Sequence, residues 1–284
     1  MSSPKTLLAV RNLRPKKQLG QNFLTDPSTA KMIVSRSGIL PEDVVLEIGA
    51  GLGALTIPLA RIAKKVYAVD KDQRIIELCK AELCKNKVSN VILIENDILK
   101  VNIKELAENE SRKIIIMGNL PYNISSQIIV QLIKSRSIVS RAVLMFQKEL
   151  AQRITAQPGC KDYGRLTVML GHCADIKKLA DIKASLFFPE PKVDSEVLEI
   201  KFKHNVKYPA NNEAFLFRVI KAAFSKRRKT LKNALAGSGL HIDAKTAGHV
   251  LIDSDIDPSR RAETLTVQEF VKLSNTLGDS IRSM

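Results

Sequence analysis

The run Lys113–Asn123, KIIIMGNLPYN, constrains the fold more than any other stretch. Four consecutive apolar residues, Ile114 to Met117, need a strand covered on both faces, as in a parallel sheet flanked by helices. The strand is expected to stop at Gly118. That leaves Asn119-Leu120-Pro121-Tyr122 where the carboxyl end of such a sheet opens onto a ligand crevice. Pro121 stiffens the corner and biases Leu120 toward extended geometry. An amide side chain, fixed backbone carbonyls and one aromatic face are the parts needed to hold a flat ring bearing an amino group. Acceptors on both N–H groups push electron density back onto a nitrogen whose lone pair is otherwise delocalised, and Tyr122 offers a stacking face. Standing alone, the tetrapeptide reads equally as a strand followed by an Asn-Pro turn.

Its neighbours decide between those readings. Val44–Ile48 is a first strand running into Gly49-Ala50-Gly51-Leu52-Gly53, glycines that let the backbone turn tightly and approach a ligand. The helix after it is expected to turn Leu55, Leu59 and Ile62 inward, with Pro58 tolerated near its start. A second strand, Val66–Val69, ends in Asp70, placed to bind a ribose diol. With an acid about 20 residues beyond the glycines, this much fits a dinucleotide fold as well as an S-adenosylmethionine fold. The third strand, Val91–Ile94, separates them. It ends in Glu95-Asn96-Asp97, and the Asp97 carboxylate suits an adenine amino group. Singly, Asp70 and Asp97 are ordinary loop caps; at successive strand ends they read as ligands.

Further strands are expected at Arg141–Phe146, Leu166–His172 and Val197–Phe202, with a helical start at Lys148 and an i, i+4 pair of Glu149 and Arg153. Gln157–Gly164 is too rich in glycine and proline for a helix, and reads as a lip over the substrate or a plain surface loop. In Phe187–Ser195, FFPEPKVDS, an aromatic could face Tyr122 across a base, while Phe188 reads as a hydrophobic anchor. Near Val206–Pro209 the pattern changes from strands to helices. The expected domains are therefore 1–205, binding the cofactor, and 206–284, helical. In the latter Phe217, Ile220, Phe224, Leu231 and Leu235 form a core face, and helices follow around Ala244–Leu251 and Val267–Leu277. Lys221, Ser225, Arg228 and Lys232 are spaced to form one basic stripe, with Arg227 beside it. It is either a solvated face or a set of phosphate contacts.

The 284 residues carry 45 Lys and Arg against 29 Asp and Glu, a net charge of +16 that calls for a polyanionic partner. No apolar run approaches a membrane span and no signal peptide is evident. The four cysteines form no CxxC pair and read as reduced thiols of a cytoplasmic chain, and no metal site is expected. Residues 1–25 are basic without one acid. Such a segment resembles an organellar transit peptide, but Pro4 and Pro15 interrupt any amphipathic helix; a flexible arm meeting phosphates is expected, with a solvated tail as the plain alternative. Asp26-Pro27 starts a helix running to about Ser37.

LGQNFL (19–24), LEIGAGLGALT (46–56), VYAVDKD (66–72), NLPYNIS (119–125), FFPEPKVDS (187–195), FSKRRKTLKNAL (224–235) and RRAETL (260–265) occur in this order. Together they resemble the small-subunit ribosomal RNA adenine dimethyltransferase family, the KsgA type, over roughly residues 16–270. The resemblance implies an α/β fold: a Rossmann-like S-adenosylmethionine-dependent methyltransferase domain, mostly parallel, followed by a small helical RNA-binding domain. It implies N6,N6-dimethylation of two adjacent adenines in a hairpin loop near the 3′ end of small-subunit rRNA, on an immature subunit, by a monomer. Cofactor contacts are implied for Asn22, Leu24, Gly49, Asp70, Asp97 and Asn119, and target-adenine contacts for Asn119, Leu120, Tyr122 and Phe187. RNA contacts are expected from Lys221, Arg227, Arg228 and Lys232. Asp70 stands where the family more often has Glu, which implies a longer or water-bridged ribose contact. Three rivals share features of this pattern: a large-subunit rRNA adenine methyltransferase of the resistance type, a mitochondrial transcription-factor relative, and a binding-only assembly factor.

Overall fold

The computed structural model describes residues 3–226 and 228–282. It divides into two compact units, one made of the residues up to Ala151 with Ile176–Phe202, the other of Gln152–Asp175 with the residues from Lys203 on. The domain boundary expected after residue 205 thus falls at Phe202, and the segment 152–175 joins the C-terminal helices instead of the sheet.

In the first unit the chain runs α1 (Pro4–Val10), β1 (Phe23–Leu24), α2 (Pro27–Arg36), β2 (Val44–Ile48), α3 (Thr56–Ala60), β3 (Lys65–Asp70) and α4 (Gln73–Lys85). It continues through β4 (Val91–Glu95), α5 (Ile103–Asn109), β5 (Ile114–Asn119), α6 (Ser125–Lys134), β6 (Val139–Gln147) and α7 (Lys148–Ile154). After α8 (Arg165–Cys173) come β7 (Ala174–Ile182), β8 (Phe187–Phe188) and β9 (Ser195–Phe202). Seven strands form one sheet in the order β4-β3-β2-β5-β6-β9-β7. The pairs from β4 through β6 are parallel, and β9 pairs antiparallel with β6. β2, β3, β5 and β6 lie inside the sheet and are almost wholly buried, which is why their sequences read as unbroken apolar runs. The order reverses at β2, so β2, β3 and β5 deliver their carboxyl ends to one crevice.

Several expectations need correction. β5 continues through Gly118 to Asn119, because Gly118 pairs with Ile48 so closely that a Cβ would sit 2.3 Å from the Ile48 carbonyl oxygen. Leu166–His172 is the body of helix α8, not a strand. Its apolar residues are buried nearly all round, and a short apolar run carries no period that tells strand from helix. Thr167 Oγ1 accepts from Gly164 N–H at 3.1 Å and starts the helix. The strand that was missed, β7, is the sheet's edge: Ala174, Ala180 and Ile182 are buried, and it carries exposed Lys177 and Lys178, as edge strands do. The basic arm is not wholly flexible. Pro4 begins α1 instead of interrupting it, Ser3 caps it, and Leu8 packs with Phe23, Leu52, Ile75 and Leu78. Ile62 lies beyond the end of α3 and is 38% exposed, while Leu55 and Leu59 are buried as expected.

In the second unit, α8 packs with α9 (Glu213–Ala223) and α12 (Val267–Arg282), and α10 (Leu231–Ala236) packs with α11 (Ala244–Asp253). Leu216, Val219, Ile220, Leu231, Leu235 and Phe270 form its core, where the Phe224 ring stacks on Phe270 at 5.8 Å. Thr266 and Glu269 exchange hydrogen bonds in a capping box that starts α12.

Candidate active site

The carboxyl ends of β2 to β5, with the segment Gln18–Phe23, line an open cleft. Three consecutive residues at the end of β3 each bind a different wall. The Asp70 carboxylate accepts from Gly51 N–H at 2.9 Å and from Asp72 N–H at 3.0 Å, which fixes the glycine loop. Gly51 has φ +53°, and a Cβ there would press on the Phe23 ring, so a side chain would be both strained and crowded. Lys71 Nζ binds Asp97 Oδ2 at 2.9 Å, and Leu99 N–H reaches Asp97 Oδ1 at 3.0 Å. Asp72 turns the other way and holds Lys16 and Gln21. Burial raises the Asp70 carboxyl above its ordinary range, while Lys71 draws that of Asp97 down.

At the end of β5, Asn119 Nδ2 donates to the Asn22 carbonyl at 3.0 Å. That commitment fixes the amide and leaves Oδ1 as an acceptor. Leu120 follows, 1% exposed, with its N–H on the Met145 carbonyl at 3.2 Å. The Tyr122 and Ser195 hydroxyls are both buried; burial pushes the phenol up, against the pull of the neighbouring Ser195. NLPY and the end of FFPEPKVDS are therefore neighbours through Ser195, whereas neither Phe187, in the main core, nor Phe188, opposite Phe23, is placed across from Tyr122.

Beneath the glycine loop lies Glu47, 1% exposed. Its Oε2 and the Thr56 hydroxyl have no hydrogen-bond partner. Burial pushes its carboxyl up to about 8, against the pull of Thr56 and with the help of the Asp70 charge. Glu47 lines a narrow cavity with Asn22, Leu24, Gly49 and Asn119.

Of the residues expected to hold a cofactor, Asn22, Gly49, Asp70, Asp97 and Asn119 meet in the cleft, and Leu24 faces the narrow cavity beside it. Leu120 and Phe187 are buried outside the cleft. Phe187 pairs with Leu24 and is 3% exposed in the main core; Phe188, opposite Phe23, packs on the cluster that receives Leu8. Gln21, Lys71, Asp72 and Glu47 were missed. VDKD and LEIG hold three of them, but nothing local shows which wall each side chain reaches.

In the second unit Lys221, Arg228 and Lys232 are exposed, and Arg227 lies outside the described residues. The single helical stripe is not formed. α9 ends at Ala223 and α10 begins at Leu231, so the basic residues span a helix end, a turn and a helix start. Among the described residues no helix is long and apolar enough to cross a membrane.

The chain matches the family described as "Ribosomal RNA adenine dimethylase" over residues 12–276. It is 53% identical over 277 residues to the "Ribosomal RNA small subunit methyltransferase A" of Desulforapulum autotrophicum, covering 98% of this chain and 97% of that one. The protein of the same name from Desulfotalea psychrophila is 40% identical, with 95% and 94% covered. Among solved structures, a dimethyladenosine transferase from Plasmodium falciparum superposes with a TM-score of 0.73 at 30% identity, over 88% of this chain and 95% of that one. The 23S rRNA methyltransferase ErmE shares the fold at a TM-score of 0.66 and 21% identity, over 90% and 99%.

Proposed function

The chain belongs to the ribosomal RNA adenine dimethylase family, and on that premise we propose that it dimethylates N6 of two adjacent adenines in small-subunit ribosomal RNA. The observation that carries the reading is the joining of the glycine loop, Asp70, Asp97 and Asn119 at successive strand ends. The cleft suits S-adenosylmethionine: the carboxylates of Asp70 and Asp97 at its edge are acceptors for a ligand with O–H and N–H donors. Asp70 would hold the ribose hydroxyls, Asp97 the adenine amine, and Asn22, Leu24 and Gly49 the rest of the molecule. When bound, it supplies an electrophilic methyl group on a sulfonium.

The chain's own residues orient the acceptor. Asn119 Oδ1 and the Leu120 carbonyl accept from the two N–H groups of the target N6 and fix its direction, while Tyr122 stacks on the flipped base. Leu120 and Phe187 bound the base on its apolar side. Water takes the proton that N6 gives up, so no general base is called for. Lys221, Arg227, Arg228 and Lys232 contact phosphates, which position RNA without reading its sequence. The substrate is the RNA of an immature small subunit, the enzyme acts as a monomer in the cytoplasm, and the catalytic and RNA-binding roles divide near residue 205.

Calorimetric titration with S-adenosylhomocysteine and with NAD tests the cofactor assignment. Binding of the first alone is expected; binding of NAD alone would overturn it.

A further inference from the structure

We infer that Asp72 is a positioning residue for this reaction: it latches the segment Lys16–Leu24 over the cofactor cleft and, through Asn22, sets the orientation of Asn119. The inference rests on the function proposed above. Asp72 occupies the N-cap of α4, where an aspartate ordinarily accepts from the first backbone N–H groups of the helix. Its side chain makes no such bond. Instead Oδ2 accepts from Gln21 Nε2 at 3.2 Å and pairs with Lys16 Nζ at 3.3 Å, and Arg74 grips both oxygens at 3.0 and 2.9 Å. Lys16 N–H closes the loop on Gln21 Oε1 at 2.7 Å. The carboxylate is 3% exposed, while its Lys16 and Arg74 partners reach it from the surface.

The latched segment is not a bystander. Gln21 and Asn22 line the cleft, and the Asn22 carbonyl is what holds the Asn119 amide. At its other end Asp72 N–H holds Asp70 Oδ1. One residue thus ties the roof of the cleft, the ribose acid and the catalytic amide into a single frame, the kind of supporting shell that fixes a reacting group. A gain in helix capping was available at this position, and the fold spends the side chain on the roof.

Asp72→Ser separates the two roles, because serine caps a helix as well as aspartate does but cannot reach Gln21 or pair with Lys16. Four measurements are made on the full chain: melting temperature, tryptic cleavage after Lys16 and Lys17 followed by mass spectrometry, calorimetric binding of S-adenosylhomocysteine, and steady-state methylation. The latch predicts a variant that still folds, with cleavage about tenfold faster, a Kd about tenfold weaker, and a fall in kcat beyond the rise in cofactor KM. Gln21→Ala, which leaves the helix start untouched, should reproduce the faster cleavage, and that readout decides the matter if the serine variant does not fold. Wild-type cleavage rates and wild-type Kd in a folded variant would overturn the latch. Failure of the wild-type chain to bind S-adenosylhomocysteine would instead overturn the functional reading, and the latch with it.

Discussion

At the strand ends of the first unit the polar side chains are already committed: Asp70 to the glycine loop, Lys71 to Asp97, Asp72 to Gln21, and Asn119 to Asn22. In the second unit Lys221, Arg228 and Lys232 stand exposed, with no ion pair among the described residues, across a break between two helices. The contrast follows from what each region must do. Holding a reacting nitrogen demands geometry fixed before the substrate arrives, because misplacement is costly in rate. Neutralising phosphates demands charge and tolerates movement, because counterion release depends on how many phosphates are met, not on one bond angle.

The largest expected effect comes from breaking the fixed region. Asn119→Ala removes the acceptor for N6 and the tie to Asn22, so single-turnover methylation should fall by about 10² or more. RNA affinity should barely change, since phosphate contacts carry it. The second methylation should suffer more than the first, because monomethyl-adenine offers one N–H by which to be held; chromatography of mono- and dimethyl-adenosine reads both steps.

Reversing charge in the adaptable region should do the opposite. Arg228→Glu with Lys232→Glu should weaken subunit binding about tenfold or more and flatten its salt dependence by roughly two units of slope, leaving cofactor affinity unchanged. An unaltered slope would mean that these side chains are only a solvated face.

The smallest effect sharpens the comparison from below, at Glu47. Its carboxyl sits at about 8 in the folded chain against an ordinary value of 4.5, so between those pH values the folded state keeps a proton that the unfolded state releases. Stability should therefore fall as pH rises through that window and level off above it. Glu47→Gln has no such proton. The melting temperature of the wild type relative to the glutamine variant should decline by a few degrees from pH 5 to 8, and a flat difference would place a charged carboxylate there.

The strands that carry the site were legible because buried parallel strands leave contiguous apolar runs, each ending in the residue that faces the crevice. Asp26 was legible as a cap because its bonds to Ser28 and Thr29 are local. Leu166–His172 was not: buried on most sides, it carries no polar face to give it a period. β7 was hidden for another reason: at the sheet's edge Lys178 interrupts the alternating apolar face of Ala174, Ile176, Ala180 and Ile182. The roles of Asp72 and the Asn119 amide were hidden because their partners, Gln21 and Asn22, lie far away in the chain, and local pattern cannot choose among distant partners.

The measurement that bears most directly on the account is transfer of tritiated methyl groups from S-adenosylmethionine to undermethylated small subunits, followed by mapping of the modified nucleotides. The account predicts label confined to two adjacent adenines of the small-subunit RNA, recovered as N6,N6-dimethyladenosine. Label in large-subunit RNA, on another base, or absent from subunits that the chain still binds would contradict it.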